Sequence, residues 1–491
     1  MAEKIVSPGI FTNEIDQSFI PAALGELGAA IVGPTVKGPV LTPTVVSSYG
    51  EYVNIFGELI ESGSDHYQFL TSHTAKEYLR QGGPCTIVRV AEPGNTTRAT
   101  ANINSGSIID ELSNSSTLFT LEALGDGPQF NNFVGTGSDF GTDGLLPKRA
   151  SSATNNHLLS GSYGGRPNNF RWEISNRNIN KGTFTLLIRQ GNDTMKRKVV
   201  LETHANLTFD PNSTDYILRR IGNQTNTVSA EAGVAYLKPQ GEFPNQSKYV
   251  RVSNLPESSK TPNYLDENGD VDIAYANSQS LFPLVGSGSY GGAFGTALNI
   301  SGQADPGSGQ TAGSNGDQNQ EHPFAFYENI SGTNSQGINM ANSSAVPAGT
   351  ATTGGYGTAL SILSNKDEYN FNLLFLPGVI DQATGGTGHN AIIGQAMDMC
   401  ETRGDCFLVY DNTALTSTVA NTKTYTEARN SSYAATYYPW VQVQDAAAGL
   451  NRWVPPSVVM AGVYHFNDTI GQPWFAPAGL NRGGIDSAVQ A

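Results

Sequence analysis

The chain has 491 residues and a formal net charge of −15, a length that implies roughly two to four domains rather than one core. Charged residues make up only 14% and glycine numbers 55; ordinary domains carry about 25% charged residues, so this chain draws its polarity from Gly, Ser, Thr and Asn and suits β-rich, loop-rich structure. An acidic balance repels phosphate backbones and argues against nucleic-acid binding, and three cysteines with no Cys-x-x-Cys spacing argue against a disulfide framework.

The opening, "MAEKIVSPGIFTNEIDQSFIP", places Ile10, Phe11, Ile15, Phe19 and Ile20 ahead of the first core strand. Acidic residues follow Ser7-Pro8-Gly9, so no signal peptide is expected. Phe11, Ile15 and Phe19 lie four apart and permit a helix, but Pro8-Gly9 and the β-branched neighbours favour an extended N-terminal arm over residues 1–22. Residues 23–92 read as the first part of an α/β core. "LGAAIVG" (Leu27–Gly33) is a short apolar run suited to a buried strand, and "HYQFLTSHTAKEYLRQGG" (His66–Gly83) predicts a helix with Asp65 as N-cap and two glycines as stop. "CTIVRV" (Cys85–Val90) predicts a second buried strand.

Residues 93–165, rich in Gly, Ser, Asn and Asp, predict an outer protruding insertion. Residues 166–351 predict a second, β-rich insertion, with "RWEISN" and the hairpin "GTFTLLIRQGNDTMKRKVVLET" turning at "QGND". Its stretch 301–350 includes "SGQADPGSGQTAGSNGDQNQ" and predicts a mobile loop. Residues 352–491 resume the core: a helix in "YGTALSILSN", a strand in "FNLLFLPG" ending at a turn, a helix in "NAIIGQAMDMCETRGD" with Ile393, Met397 and Cys400 on one stripe, a strand in "CFLVYD", and a helix started by the prolines of "VPPSVVMAGVYHF". The fold class expected is mixed α/β: one discontinuous α/β core with β-rich insertions and an extended arm. No run of 18 apolar residues occurs, so no transmembrane helix is expected.

Chemical motifs fare poorly. "GSGSYG" (Gly286–Gly291) fits G-x-G-x-x-G but lacks the following helix whose N-terminus would hold a pyrophosphate, and predicts a flexible loop. "DENGD" (Asp266–Asp270) has its glycine in the fourth place, against the sixth in a calcium loop, and predicts a turn. The basic "MKRK" (Met195–Lys198) reads as a solvated strand edge, and the Asn95, Asn114 and Asn192 sequons as chance in an Asn-rich chain. His66, His73, His157, His204, His322, His389 and His465 are scattered, H-E-x-x-H and G-x-S-x-G are missing, and Cys85, Cys400 and Cys406 read as core thiols. No catalytic, cofactor-binding or metal-ligating residue is expected.

Several stretches together resemble the contractile tail sheath proteins of T-even-like myophages: "SPGIFTNEID", "AAIVGPTVKGPVLTPTVVSSYGEYVNIFG" (Ala29–Gly57), "AKEYLRQGGPCTIVRV" (Ala75–Val90), "SNKDEYNFNLLFLPGV" (Ser364–Val379), "SSYAATYYPWVQV" (Ser431–Val443) and "WVPPSVVMAGVYHFNDTIGQPWFAPAGLNRGGI" (Trp453–Ile485). In the middle, "GTFTLLIRQGNDTMKRKVVLE…LTFDPNSTDYI" also looks sheath-like. The resemblance implies a structural polymer without active site or cofactor. Its subunits would form six-membered rings stacked helically around a tail tube and contract when a baseplate is triggered. The partners implied are further copies of itself, the tail tube protein, and baseplate and tail terminator proteins; the location implied is the virion, after assembly in the host cytoplasm. It also implies that the N-terminal segment adds a strand to a neighbour's sheet, with Ile10, Phe11, Ile15, Phe19 and Ile20 as apolar anchors. Sheath proteins continue beyond "APAGLNRGG" into a further C-terminal domain, which this sequence, ending at Ala491, is expected to lack. The same resemblance admits the sheath of a contractile injection system or bacteriocin particle. A virion-associated glycan-cleaving enzyme is the rival from another class; it calls for a carboxylate-lined groove and regular β-helix repeats, which the sequence does not show.

Overall fold

The computed structural model describes residues 28–58, 60–62, 65–90, 98–105, 117–126, 169–194, 196–231, 233–275, 281–290, 355–382, 390–413, 415, 417–446, 449–470, 475–479 and 481–491. The first core segment runs β1 (Ala29–Gly33), β2 (Thr44–Val46), α1 (Tyr49–Phe56), β3 (Ile60–Ser62), β4 (Asp65–Tyr67), α2 (Leu70–Leu79) and β5 (Cys85–Arg89). The insertion supplies β6 (Arg98–Asn104), β7 (Thr117–Asp126), β8 (Phe170–Asn178), β9 (Thr183–Gln190), β10 (Val200–Leu207), α3 (Ile217–Ile221), β11 (Thr225–Glu231), β12 (Val234–Gln240), β13 (Val250–Asn254) and β14 (Gly286–Ser289). The chain returns through α4 (Tyr356–Leu363), β15 (Leu373–Gln382), α5 (Asn390–Arg403), β16 (Phe407–Thr413), α6 (Val419–Glu427), β17 (Ala434–Thr436), β18 (Val441–Asp445), β19 (Leu450–Val454), α7 (Pro456–Ile470) and β20 (Ala488–Gln490).

Strands from both ends of the sequence share one six-stranded sheet, ordered β17-β16-β15-β1-β5-β2. All are parallel except β2, which runs antiparallel on β5. Ranked by chain position, the parallel strands lie in the doubly wound order 2-1-3-4-5, whose direction of winding reverses between β1 and β15. Period-2 alternation splits the apolar residues between two faces. Ala30, Val32, Val88, Leu374, Leu376 and Leu408 point to α4 and α5, where Ile393, Met397 and Cys400 form the buried stripe. Ala29, Ile31, Ile87, Phe375 and Val409 point to α1, α2 and α7. The discontinuous α/β core expected from the apolar runs is therefore a single sheet closed by residues more than 280 positions apart, as in the pair Ala29↔Leu373.

In the insertion, β13-β7-β6 and β10-β9-β8-β14 form two antiparallel sheets over one aromatic-rich core containing Phe119, Phe184, Phe209 and Phe282. Strands β6 and β7 precede position 165 and β8–β10 and β13 follow it, so the described parts of 93–165 and 166–351 pack as one unit and not as two separate cores. The hairpin β11–β12 leaves this unit and docks on the α/β core: Ala235 is buried against α4, and its N–H donates to Ser361 Oγ at 2.8 Å.

Some local expectations change. The helix expected from His66 begins at Leu70, because Asp65–Tyr67 pairs with Ile60–Ser62 as a two-stranded ribbon; Phe69, not Asp65, is the N-cap. The strand ending expected at Pro377-Gly378 is a bulge, and β15 continues to Gln382 with a register shift between Phe375 and Ile380. The hairpin does not turn tightly at "QGND": Asp193 is buried against Arg189, which widens the connection, and Lys196–Lys198 lie in that loop. "GSGSYG" is not a loop, since Gly286–Ser289 pairs with β8 as an edge strand. Gly288 sits against Trp172 so closely that a Cβ there would lie 2.5 Å from the indole ring. The arm 1–22, the stretch 301–350, and the sequons at Asn95 and Asn114 lie outside the described residues.

Candidate functional site

In a doubly wound sheet, ligands occupy the crevice beyond the carboxyl ends of the strands, at the point where the winding reverses. That point lies between β1 and β15, and beside it the described polar groups at the carboxyl ends of β15 and β16 are bonded within the chain. Asp411, near the end of β16, is fully buried. Its carboxylate accepts the N–H of Ser457 (3.1 Å), the hydroxyl of Ser457 (2.7 Å) and the N–H of Gly378 (3.3 Å). It thus ties the first turn of α7 to β16 and to the bulge in β15, and supplies the negative charge that a helix N-terminus favours. Burial pushes its pKa up to about 6, against the three hydrogen bonds, which lower it.

Beside it, Asp381 at the end of β15 is buried and takes a bidentate pair from Arg429, with Nη2 at 2.5 Å and Nε at 3.1 Å. Asn412 donates to the Thr422 carbonyl and the Thr426 hydroxyl of α6, and Trp440 Nε1 donates to the Thr413 carbonyl. These groups join helices and strands across the sheet's carboxyl edge. Their chemistry is that of structural locks.

The histidines do not converge. His73 is buried in α2, where burial lowers its pKa to about 4. His204 pairs with Glu202 on β10, and the His465 ring lies tilted against Tyr78 with centroids 4.4 Å apart. His66 lies on β4; His157, His322 and His389 are outside the described residues. Among the described residues no group of three or more His, Cys, Asp or Glu is placed to hold a metal ion, and no helix is long and apolar enough to cross a membrane. "DENGD" is a turn closed by Asp266, which accepts the N–H groups of Asn268 and Asp270.

Among the described residues, several strands have a neighbour on one side only. Strand β10 borders its sheet, and Val199, Val200 and Leu201 are each more than a third exposed in succession. Strand β2 borders the core sheet with Val45 at 61% exposure, and β20 is an exposed edge on β18. Unpaired edges with exposed apolar side chains are templates for strand addition by another chain. Sequence reasoning missed these edges, because an edge is a property of which strand pairs last. The loop leading into β10 is held by a buried network: Arg189 donates to Glu173 at 2.7 Å and to both oxygens of Asp193, while Lys198 pairs with Glu173. The arm residues Ile10, Phe11, Ile15, Phe19 and Ile20 lie outside the described residues, so no receiving edge is matched to them.

No family model and no curated protein matches the chain. Among solved structures it is similar to a sheath tail protein from Listeria innocua, at 8% identity and a TM-score of 0.39, covering 91% of this chain and 57% of that one. It is similar also to a sheath tail protein from Desulfitobacterium hafniense, at 10% identity and a TM-score of 0.37, covering 98% of this chain and 66% of that one. The chain thus spans less than two thirds of the length of each of these relatives.

Proposed function

We propose that this protein is the structural subunit of a contractile phage tail sheath. The observation that carries the reading is the convergence of its sheath-like stretches. Ala29–Gly57, Ala75–Val90, Ser364–Val379, Ser431–Val443 and Trp453–Ile485 are scattered over the chain, yet all contribute to one doubly wound domain. Subunits form six-membered rings, stack helically around a tail tube, and contract to drive the tube through the host envelope. The partners are further copies of the chain, the tube protein, and baseplate and terminator proteins, within the virion after assembly in the host cytoplasm.

Residues 1–22 act as a linking arm, with Ile10, Phe11, Ile15, Phe19 and Ile20 anchoring a strand on a neighbouring subunit. A sheath needs two packings of a stiff subunit separated by a barrier. The locks at the carboxyl edge supply stiffness, and the open edges supply surfaces for exchange. The work of the protein is then mechanical and not catalytic. Sedimentation velocity of the full encoded protein tests this: the expected result is concentration-dependent polymers far above the 52.1 kDa chain. A compact trimer at every concentration would point to a tailspike-like enzyme instead.

A further inference from the structure

Lys37 follows the first core strand and is buried, with 8% of its surface exposed. Its backbone is fixed on both sides. The N–H donates to the Phe56 carbonyl at the end of α1 (2.9 Å), and the carbonyl accepts the Thr35 hydroxyl (2.8 Å). The stem of the side chain packs on Gly57, where a Cβ would lie 3.4 Å from Lys37 Cγ. Gly57 takes φ = +76°, a conformation that glycine adopts at no steric cost.

Lys37 lines a cleft of about 980 Å³ between the α/β core and the insertion. Glu51 and Asn54 of α1 form part of the core's wall, and Gln190, Lys248 and Tyr249 part of the insertion's wall. Small-molecule sites have volumes of about 300–1,000 Å³ and mix apolar surface with a few polar groups, and this cleft has both properties. The Glu51 carboxylate is taken up by the N–H and the hydroxyl of Ser47, each at 2.9 Å. Burial disfavours the ammonium of Lys37 and lowers its pKa to about 8. Near pH 7.5 about a quarter of such an amine is neutral, against roughly one part in a thousand for an ordinary lysine. Lys248 shares the cleft but is exposed, and so serves as an internal comparison.

We propose that Lys37 is a reactive-amine site, at which a small aldehyde entering the cleft condenses with Nζ to an imine. The lone pair of the neutral Nζ attacks the carbonyl carbon, and a C–N bond forms. The C=O pair moves to oxygen, which takes one amine proton and gives a carbinolamine. The nitrogen lone pair then expels hydroxide as the C–O bond breaks. The hydroxide takes the second amine proton and leaves as water, so one amine and one aldehyde become one imine and one water. Nothing is oxidised or reduced. The adduct removes the Lys37 charge and occupies space between the core and the insertion. This site is independent of the polymer reading.

The test incubates the folded full chain with pyridoxal phosphate, reduces the imines with borohydride and maps the modified peptides by mass spectrometry, with circular dichroism confirming that the fold persists. A weaker base is also a weaker nucleophile, which gives back part of the gain in neutral amine, so labelling of Lys37 near pH 7.5 should outpace that of Lys248 by about tenfold. The Lys37 rate should reach half its maximum near pH 8. Lys37→Arg keeps the charge and should lose this fast label, while labelling of Lys248 stays the same. Lys37 labelled no faster than Lys248 in the wild-type chain, or labelled only after unfolding in urea, would overturn the proposal.

Discussion

Ser457 is bonded to Asp411 twice, through its backbone N–H at 3.1 Å and its hydroxyl at 2.7 Å. This joins the first turn of α7 to the end of β16 inside the core. A raised carboxyl pKa has a definite sign. The folded state holds the Asp411 proton up to about pH 6, whereas an unfolded aspartate releases it near 3.9. The stability that the protonated group contributes is fully present below about pH 4 and is lost as the pH rises through 6, an effect of roughly 3 kcal/mol. Asp411→Asn stays neutral throughout. The stability gap between wild type and this variant, read from urea midpoints at each pH, should therefore shift against the wild type by that order between pH 4 and 6. A constant gap would refute the assignment.

At Arg429, removal of the guanidinium leaves the buried Asp381 carboxylate without its bidentate partner. Arg429→Ala should cost about 3–5 kcal/mol at neutral pH. The double variant with Asp381→Asn should recover much of that loss, because the stranded charge is gone. Urea denaturation of the four proteins in the cycle gives the coupling directly.

Gly288 and Gly286 lie on the same short edge strand, but only Gly288 faces the Trp172 ring. Gly288→Ala should destabilise the insertion by about 1–3 kcal/mol through overpacking. Gly286→Ala, where a Cβ meets nothing within 4 Å, should be close to neutral. Thermal melts and Trp fluorescence separate the two.

Arg98 is the joint of the insertion. It donates to Asp126 (3.0 Å) and to Thr225 Oγ1 (3.0 Å) at the base of the docked hairpin. Asp126 in turn accepts from the N–H of Val40, and its carbonyl accepts from Arg89, both in the α/β core. Arg98→Ala should raise amide exchange in β11 and β12 and leave β1 and β15 protected. Uniform exchange changes across both units would contradict a local joint.

Much of this fold was legible in the sequence, for physical reasons. Runs such as Ala29–Gly33, Phe371–Leu376 and Cys406–Tyr410 are buried on both faces, so apolar continuity marks them whatever their partners. Local signals misled where a long-range partner decided the outcome. Asp65 caps well in isolation, but Asp65–Tyr67 finds a strand partner in Ile60–Ser62. Gly286–Ser289 has a loop composition, yet β8 offers it an edge and Trp172 requires its glycine. The locks were invisible for the same reason: Asp411 and Ser457 are 46 positions apart, and Asp381 and Arg429 are 48.

The arm offers a test separable from the fold. The first core strand begins at Ala29, and ordering an extended segment costs roughly 1–2 kcal/mol per residue in backbone entropy. A linking arm therefore needs a partner surface. Deleting residues 2–20 from the full encoded protein should leave the monomer's melting temperature nearly unchanged and abolish polymer growth. Loss of the monomer fold, or normal polymers after deletion, would contradict the arm's role.

Electron microscopy of the protein at high concentration asks whether it forms a sheath polymer. A sheath subunit should give hollow tubes whose end-on views have sixfold rotational symmetry, built from stacked rings. Discrete compact particles with threefold symmetry, or no tubes at any concentration while the chain stays folded, would contradict it.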